Sequence, residues 1–186
     1  MARPEVGRAA GVFNPDKLLW LNEHYIKNGD PERLGRLLAG ILATRGIDVG
    51  KGPALTAVVR TLQDRAKTLL EMADGAEFYY RRPASYDAEA IERQVGLEQL
   101  AALAQLCEKL DGLTAADHAA IEEAFQQVLA ATGLKLGKLG PAVRIALTGG
   151  TASPGIYDVV SVLGCAETVL RLRSALNVFG ASIKTA

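Results

Sequence analysis

Apolar residues recur every three or four positions along most of this chain, and Gly and Pro interrupt the pattern at intervals. No run of alternating β-branched residues is long enough to predict a strand. The pattern therefore predicts an all-α fold, a helical bundle of two subdomains. The clearest apolar face is predicted for the segment after Asp30, and it consists of Leu34, Leu37, Leu38, Ile41 and Leu42.

The first two helices have explicit start and stop signals. Asn14-Pro15-Asp16 combines a capping residue, a proline at the first helical position and an acid near the positive helix end, and Asn28-Gly29 closes that helix. Asp30-Pro31-Glu32 repeats the same signals, and Arg45-Gly46 ends the second helix. Trp20 lies among leucines on the first helix, and we expect it to pack in the core.

A longer third helix is predicted from Gly52-Pro53 to Asp74-Gly75, with Arg65 on the face opposite its apolar stripe. An aromatic and basic patch, Phe78 to Pro83, follows. Such aromatics can stack on bases, but beside a helix end they more often anchor a core, and we favour the core interpretation. A subdomain boundary here divides the chain into residues 1–85 and 86–186.

The second half continues with helices predicted over residues 87–95 and 97–110. Thr114 and Asp117 have the spacing of a capping box and open a helix that ends before Gly133. Two final helices are predicted, from Pro154 to Leu163 and from Cys165 to Asn177.

The segment from Gly133 to Tyr157 changes character, because it contains Lys135, Lys138 and Arg144 but no acidic residue. Many turn formers interrupt it, and unpaired helix N-termini are expected at Pro141 and Pro154. Such a surface suits phosphates or unstacked bases. Judged from the residues alone, an ordinary pair of helix connections is the simpler interpretation.

Composition limits the alternatives. The chain has 186 residues, with 21 basic against 21 acidic residues, so net charge offers no argument for a nucleic-acid partner. Cys107 and Cys165 lack the spacing of metal ligands. They are predicted to be buried, reduced thiols, and no metal site is expected. No apolar run approaches the roughly 20 residues that span a bilayer, and no signal peptide is visible, so a cytoplasmic protein is expected.

The first helix contains an incomplete histidine motif. His24 with Lys27 and Gly29 is similar to the His-x-x-Lys-Gly surface of phosphotransfer modules, but the extra Asn28 breaks the match. A lone helical histidine is usually structural. His118 has no partner arranged for nucleophilic catalysis, and we assign it no role.

Three stretches of the chain have recognisable sequence patterns. Val6 to Asn22, followed by Tyr25-Ile26, resembles the stretch after the catalytic signature loop of bacterial glutamyl-tRNA synthetases. Leu62 to Leu69 is similar to the helix that bears an anticodon-reading arginine, and Gly137 to Gly164 resembles the segment that binds the anticodon loop. The three stretches occur in the order of the family and cover most of the chain.

The resemblance implies an α-helical cage that recognises the stem and anticodon of tRNA(Glu) as a monomer. It implies that Arg65 faces the third anticodon base, while Arg144, Ser153, Pro154 and Ile156 surround the first two. Further contacts to the tRNA stem or backbone are expected from four residues, Lys17, Asn22, Lys135 and Lys138.

The catalytic motifs of the family do not occur in these residues. We therefore expect an excised C-terminal portion without catalytic residues or cofactors, since ATP and Mg²⁺ serve the full-length ligase. Such a portion binds tRNA but does not charge it. The alternative is a stand-alone helical adaptor derived from the same family, which binds tRNA or a protein partner.

Overall fold

A computed structural model describes residues 14–113 and 117–185 of the chain, with side chains as far as residue 182. These residues form ten α-helices, one short 3-10 helix at Val49–Lys51 and no strand, which confirms the all-α prediction. The helices are α1 Pro15–Lys27, α2 Pro31–Thr44, α3 Leu55–Leu62, α4 Leu69–Tyr80, α5 Ala88–Gln94, α6 Leu97–Asp111, α7 His118–Thr132, α8 Leu136–Thr148, α9 Ile156–Leu163 and α10 Cys165–Thr185.

The start signals of α1 and α2 act as the sequence predicts. The side chain of Asn14 accepts hydrogen bonds from the backbone N–H groups of Asp16 and Lys17, at 3.0 and 3.3 Å. The Asp30 carboxylate accepts from the N–H groups of Glu32 and Arg33, at 3.3 and 3.0 Å. Each cap satisfies donors that the first helical turn leaves unpaired, so both predicted boundaries are confirmed.

The predicted long third helix is wrong, because it is split into α3 and α4 by a turn over residues 63–65. The Gln63 amide donates to the carbonyls of Ile26 and Gly29, at 3.0 and 2.9 Å, which ties the turn to the connection between α1 and α2. The Thr68 hydroxyl then caps α4 by accepting from Glu71 N–H at 3.0 Å. Arg65 therefore lies in a turn and not on a helix face.

Two further helix boundaries also differ from the predictions. Helix α8 runs through Pro141, so no helix begins there, and its buried side supplies packing that offsets the hydrogen bond lost at the proline. Asp117 is the N-cap residue of α7, and its carboxylate accepts from Ala120 N–H at 2.8 Å. The capping-box spacing predicts Asp117 at the third helical position instead. Thr114 and the stretch Val6 to Phe13 lie outside the described residues.

The core runs through the interior between the helices and is built almost entirely from apolar side chains. Helix α10 packs along α6 and also contacts α8 and α9. The prediction for Trp20 is wrong, since 62% of that residue is exposed, and its neighbours Leu18 and Tyr25 are exposed as well. The division at residues 85 and 86 stays a prediction. Fully buried core residues include Leu38, Leu103, Phe125, Leu139, Ile145 and Phe179.

Candidate functional site

Two connections between helices approach each other across α4 and enclose a cleft of about 820 Å³. The turn between α3 and α4 supplies Arg65, and the connection between α8 and α9 supplies Ser153 and Pro154. Residues that are about 90 positions apart in sequence therefore meet at one site, which we call the interloop cleft. Residues that line the interloop cleft include Arg65, Ala66, Phe78, Thr148, Ser153 and Pro154.

Arg144 reaches the cleft through Ser153. Its Nε donates to Ser153 Oγ at 2.7 Å, and the same hydroxyl donates to the carbonyl of Pro154 at 2.9 Å. Partial burial lowers the pKa of Arg144, and the nearby Arg65 guanidinium lowers it further. Two like charges are thus held near each other, and a ligand with acceptor groups would relieve their repulsion.

The geometry of the α8–α9 connection depends on buried anchors at its end. Pro154 is buried, and Ile156, in the first turn of α9, is only 7% exposed and belongs to the core. The structure therefore places Ile156 in the core, and Ile156 does not line the cleft. At the start of the connection, the carbonyl of Gly149 accepts from Asp87 N–H at 2.8 Å.

The cleft carries both signs of charge. Glu71, Asp74 and Glu77 line the side formed by α4. Asp74 pairs with Arg45 at 2.7 Å and Glu77 pairs with Arg81 at 3.0 Å, so part of this negative charge is compensated. The cleft consequently offers cationic donors and carboxylate acceptors close to one another, a combination that matches the edges of bases better than it matches phosphates.

The other candidate residues lie elsewhere. Lys17 is exposed on α1, and the side chain of Asn22 donates to the carbonyl of Lys67, which ties α1 to the turn before α4. Lys135 occupies the N-cap position of α8 without a capping hydrogen bond from its side chain, and Lys138 lies in the first turn. Both are exposed, at the end of α8 opposite Thr148. None of these four lines the interloop cleft.

The aromatic patch is mainly structural, as predicted. Tyr79 is buried, and its hydroxyl lies 3.0 Å from Thr61 Oγ1, while Tyr80 donates to the carbonyl of Pro53 at 3.1 Å. Burial raises the pKa of both Tyr79 and Tyr80 to about 12. Phe78 is half-buried and lines the cleft together with Arg81, Arg82 and Pro83, so four members of the patch belong to the site.

Sequence reasoning missed two charged residues beside the cleft, Glu167 and Arg171, which join Arg82 of the aromatic and basic patch. Arg171 is buried among the helices, and Nε and Nη2 of Arg82 donate to the Glu167 carboxylate, at 2.9 and 2.8 Å. The only signal in the sequence was the four-residue spacing of Glu167 and Arg171, which is common on solvated helix faces.

Two classes of site find no support within residues 14–113 and 117–185. No group of three or more His, Cys, Asp or Glu side chains is placed to hold a metal ion. Cys107 is buried and Cys165 only half-buried, and both thiols are free. Within the same residues, no helix combines the length and apolarity that crossing a membrane requires.

Comparison with known proteins gives consistent matches. The sequence model of the family described as "Anticodon binding domain" matches residues 31–176. A glutamate–tRNA ligase of Geobacter sulfurreducens is 57% identical over 92% of this chain, and one of Citrifermentans bemidjiense is 55% identical over 92%. The chain spans 37% of the length of each of these relatives.

Solved structures show the same fold. A glutamate tRNA ligase from Elizabethkingia meningosepticum, crystallised in complex with its amino acid, superimposes with a TM-score of 0.79 at 22% identity. The superposition covers 89% of this chain and 32% of that structure. A glutamate–tRNA synthetase from Elizabethkingia anophelis gives a TM-score of 0.73 over the same shares of the two chains.

Proposed function

The chain belongs to the anticodon binding domain family, and we propose on that basis that it recognises the anticodon of tRNA(Glu) through the interloop cleft. The observation that carries the proposal is the meeting of Arg65 with Ser153 and Pro154 in one cleft, with Arg144 held behind Ser153. The relatives described above are glutamate–tRNA ligases, which supports tRNA(Glu) as the partner. The proposed unit is a cytoplasmic monomer that needs neither ATP nor magnesium to bind.

Arg65 is proposed to read the third anticodon base. Its side chain is exposed at the cleft, and among the described residues no carboxylate forms an ion pair with it. A free guanidinium can donate two parallel hydrogen bonds to the O2 and N3 acceptors of a cytosine, whereas a lysine ammonium lacks this fork. The position in a turn also lets the side chain approach a base without a helix backbone beside it.

Arg144 and the α8–α9 connection are proposed to hold the first two bases. The bond from Arg144 Nε to Ser153 Oγ leaves the other nitrogens of the guanidinium available, and Ser153 keeps its hydroxyl at the cleft surface. Pro154 lines the cleft with a rigid, largely buried ring, and Ile156 is buried in the core at the start of α9. Unstacked bases bound in this way are the usual target of sequence-specific RNA recognition.

The charge distribution supports bases, and not phosphates, as the occupants of the cleft. Glu71, which forms no ion pair among the described residues, would repel a phosphate brought into the cleft, and the carboxylates of α4 can accept hydrogen bonds from exocyclic amino groups. The phosphates are assigned to exposed lysines outside the cleft. Lys135 and Lys138 are the proposed backbone contacts, and Lys17 and Asn22 lie where the tRNA stem is expected.

Equilibrium binding at two salt concentrations tests the proposal. The purified chain is titrated with tRNA(Glu) and with an unrelated tRNA, and we expect tighter binding of tRNA(Glu) at both concentrations. Counterion release weakens every phosphate-based complex as salt rises, whereas base contacts preserve the ratio of the two affinities. Equal affinity for the two tRNAs at both concentrations would contradict anticodon recognition and favour a non-selective adaptor.

A matched pair of variants makes the same titration specific to the cleft. Arg144→Gln removes a charged donor behind Ser153 and should reduce the preference for tRNA(Glu). Arg173→Gln removes an exposed arginine of α10 that pairs with Asp111 at 2.8 Å, and it should leave the preference unchanged. Equal effects of the two changes would mean that Arg144 acts only through general charge.

A further inference from the structure

Arg171 connects three helices through a single buried guanidinium. The residue is 2% exposed, and its Nη1 donates to the carbonyls of Phe78 in α4 and Leu147 in α8, at 2.6 and 2.8 Å. Its Nε donates to Glu167 within α10 at 2.8 Å. A buried guanidinium needs such partners because an unpaired charge in the interior is strongly destabilising.

Glu167 extends this connection to the segment after α4. One of its oxygens accepts from both Arg171 Nε and Arg82 Nε, and the other accepts from Arg82 Nη2 at 2.8 Å. The hydrogen bonds from Arg82, followed by those from Arg171, hold the pKa of Glu167 below its usual range. Arg82, Glu167 and Arg171 thus form one connected unit, which we call the Arg171 cluster.

The groups that the Arg171 cluster joins belong to opposite sides of the interloop cleft. Phe78 and Arg82 line the side formed by α4 and the segment after it. Leu147 directly precedes Thr148, which lines the other side and leads into the connection that carries Ser153. The cluster therefore fixes the end of α4 relative to the end of α8. Arg82 lines the cleft, whereas Glu167 and Arg171 lie outside it.

We propose that the Arg171 cluster is a positioning device that sets the spacing between the two sides of the cleft and thereby determines how strongly the chain discriminates between anticodon bases. This inference rests on the proposed function. Arg171 itself cannot touch the RNA because it is buried, so its contribution acts through Phe78 and Leu147. Base discrimination is sensitive to such spacing because a bidentate contact requires both hydrogen bonds to be well aligned.

The ratio of affinities separates positioning from simple stabilisation. A variant that is partly unfolded loses active protein, which weakens the apparent binding of every tRNA by the same factor. The ratio between tRNA(Glu) and a tRNA that differs only at the third anticodon base is unaffected by that factor. A fall in this ratio therefore reports a changed cleft and not a reduced folded population.

Two variants and a control carry the test. Arg171→Lys keeps the charge, but its single nitrogen cannot take the places of both Nη1 and Nε, so it cannot contact the two carbonyls and Glu167 together. Glu167→Gln removes the charge that holds the two arginines. Arg173→Lys is the control, since Arg173 lies on the same helix but is exposed and pairs with Asp111 away from the cleft. We expect the ratio of affinities to fall about five-fold or more in Arg171→Lys and Glu167→Gln. One bidentate base contact supplies roughly 5- to 150-fold discrimination, so a loss of this size is within its range.

Amide hydrogen exchange examines the same cluster without RNA. At the end of α8, Gly149 N–H donates to the carbonyl of Ile145 at 2.8 Å. At the end of α7, Gly133 N–H donates to the carbonyl of Leu129 at 2.9 Å. Glu167→Gln should reduce protection at Gly149 about ten-fold or more, in line with local opening that stops short of global unfolding, and should leave Gly133 unchanged. If Arg171→Lys does not fold, Glu167→Gln alone decides the result.

The possible outcomes are distinct. Failure of the wild type to bind tRNA(Glu) selectively would overturn the proposed function, whatever the exchange data show. Selective binding by the wild type, with an unchanged ratio in folded Glu167→Gln and unchanged protection at Gly149, would overturn the positioning role alone. A fall in the ratio together with lost protection at Gly149, and neither change in Arg173→Lys, would support it.

Discussion

Gly149 is tightly constrained at the start of the α8–α9 connection. It ends α8 with a φ of +83°, a region that favours glycine, and an added Cβ would lie 2.7 Å from the carbonyl oxygen of Ser85 and 3.0 Å from Pro83 Cβ. Gly133 ends α7 with a similar φ of +71°, but an added Cβ there would meet nothing within 4 Å. Substitution of either glycine therefore carries the cost of a positive φ, but only substitution of Gly149 adds a steric overlap.

The expected magnitudes follow from that difference. Placing alanine in the left-handed region costs about 1–2 kcal/mol, so Gly133→Ala should lower the free energy of unfolding by about that amount. Gly149→Ala adds a steric overlap with backbone, and overpacking of this kind typically costs about 1–3 kcal/mol more. Its total should therefore be about 2–5 kcal/mol.

Chemical denaturation of the wild type and both variants measures these values, provided that the dependence on denaturant stays the same. A clear excess for Gly149→Ala would show that residues 83–85 are held firmly against the end of α8. Equal destabilisation by the two substitutions would refute this reasoning, because it would mean that the segment moves aside at little cost.

Two further predictions concern stability. Trp20→Ala should change the free energy of unfolding by less than about 1 kcal/mol because Trp20 is largely exposed. Phe125→Ala in the core should cost about 3–5 kcal/mol. A large loss of stability for Trp20→Ala in thermal melts would contradict its exposed position. Arg82 and then Arg171 hold the pKa of Glu167 down in the folded state, so its contribution is present above about pH 4.3, the unfolded value, and is lost as pH falls through the folded pKa. Acid unfolding of Glu167→Gln should therefore show a shallower loss of stability below about pH 4.3 than the wild type, and identical curves would argue against the ion pairs.

The helix starts could be predicted from sequence because their determinants are local. Asn14 and Asp30 cap helices through backbone groups two and three residues away, so the relevant residues are adjacent in the sequence. The break between α3 and α4 was missed because residues 63–67 contain neither Gly nor Pro. That break depends on Gln63 bonding to Ile26 and Gly29, contacts that exist only after folding.

The burial of Trp20 was mispredicted for a related reason. A run of leucines around an aromatic residue indicates an apolar helix surface, but it does not specify what covers that surface. In the described residues α1 contributes only Ile26 to the core, while Trp20 stays exposed.

The components of the candidate site came from resemblance to a family, whereas their arrangement came from the structure. Nothing in periodicity or charge brings Arg65 near Ser153, and only the tertiary fold places them in one cleft. The roles of these residues toward individual bases stay predictions. The contacts of Arg171 could not be anticipated, because two of its three partners are backbone carbonyls of distant helices.

The most direct test of anticodon reading is the binding of Arg65→Gln to a series of tRNAs that differ only at the third anticodon base. Loss of a bidentate contact should weaken binding of the cognate base by about 1–3 kcal/mol and change the other tRNAs little. Lys138→Gln is the matched control, because an exposed lysine outside the cleft should weaken all members about equally and reduce the salt dependence. A selective loss in Arg65→Gln is the predicted result, and equal weakening across the series by Arg65→Gln would contradict base recognition at the interloop cleft.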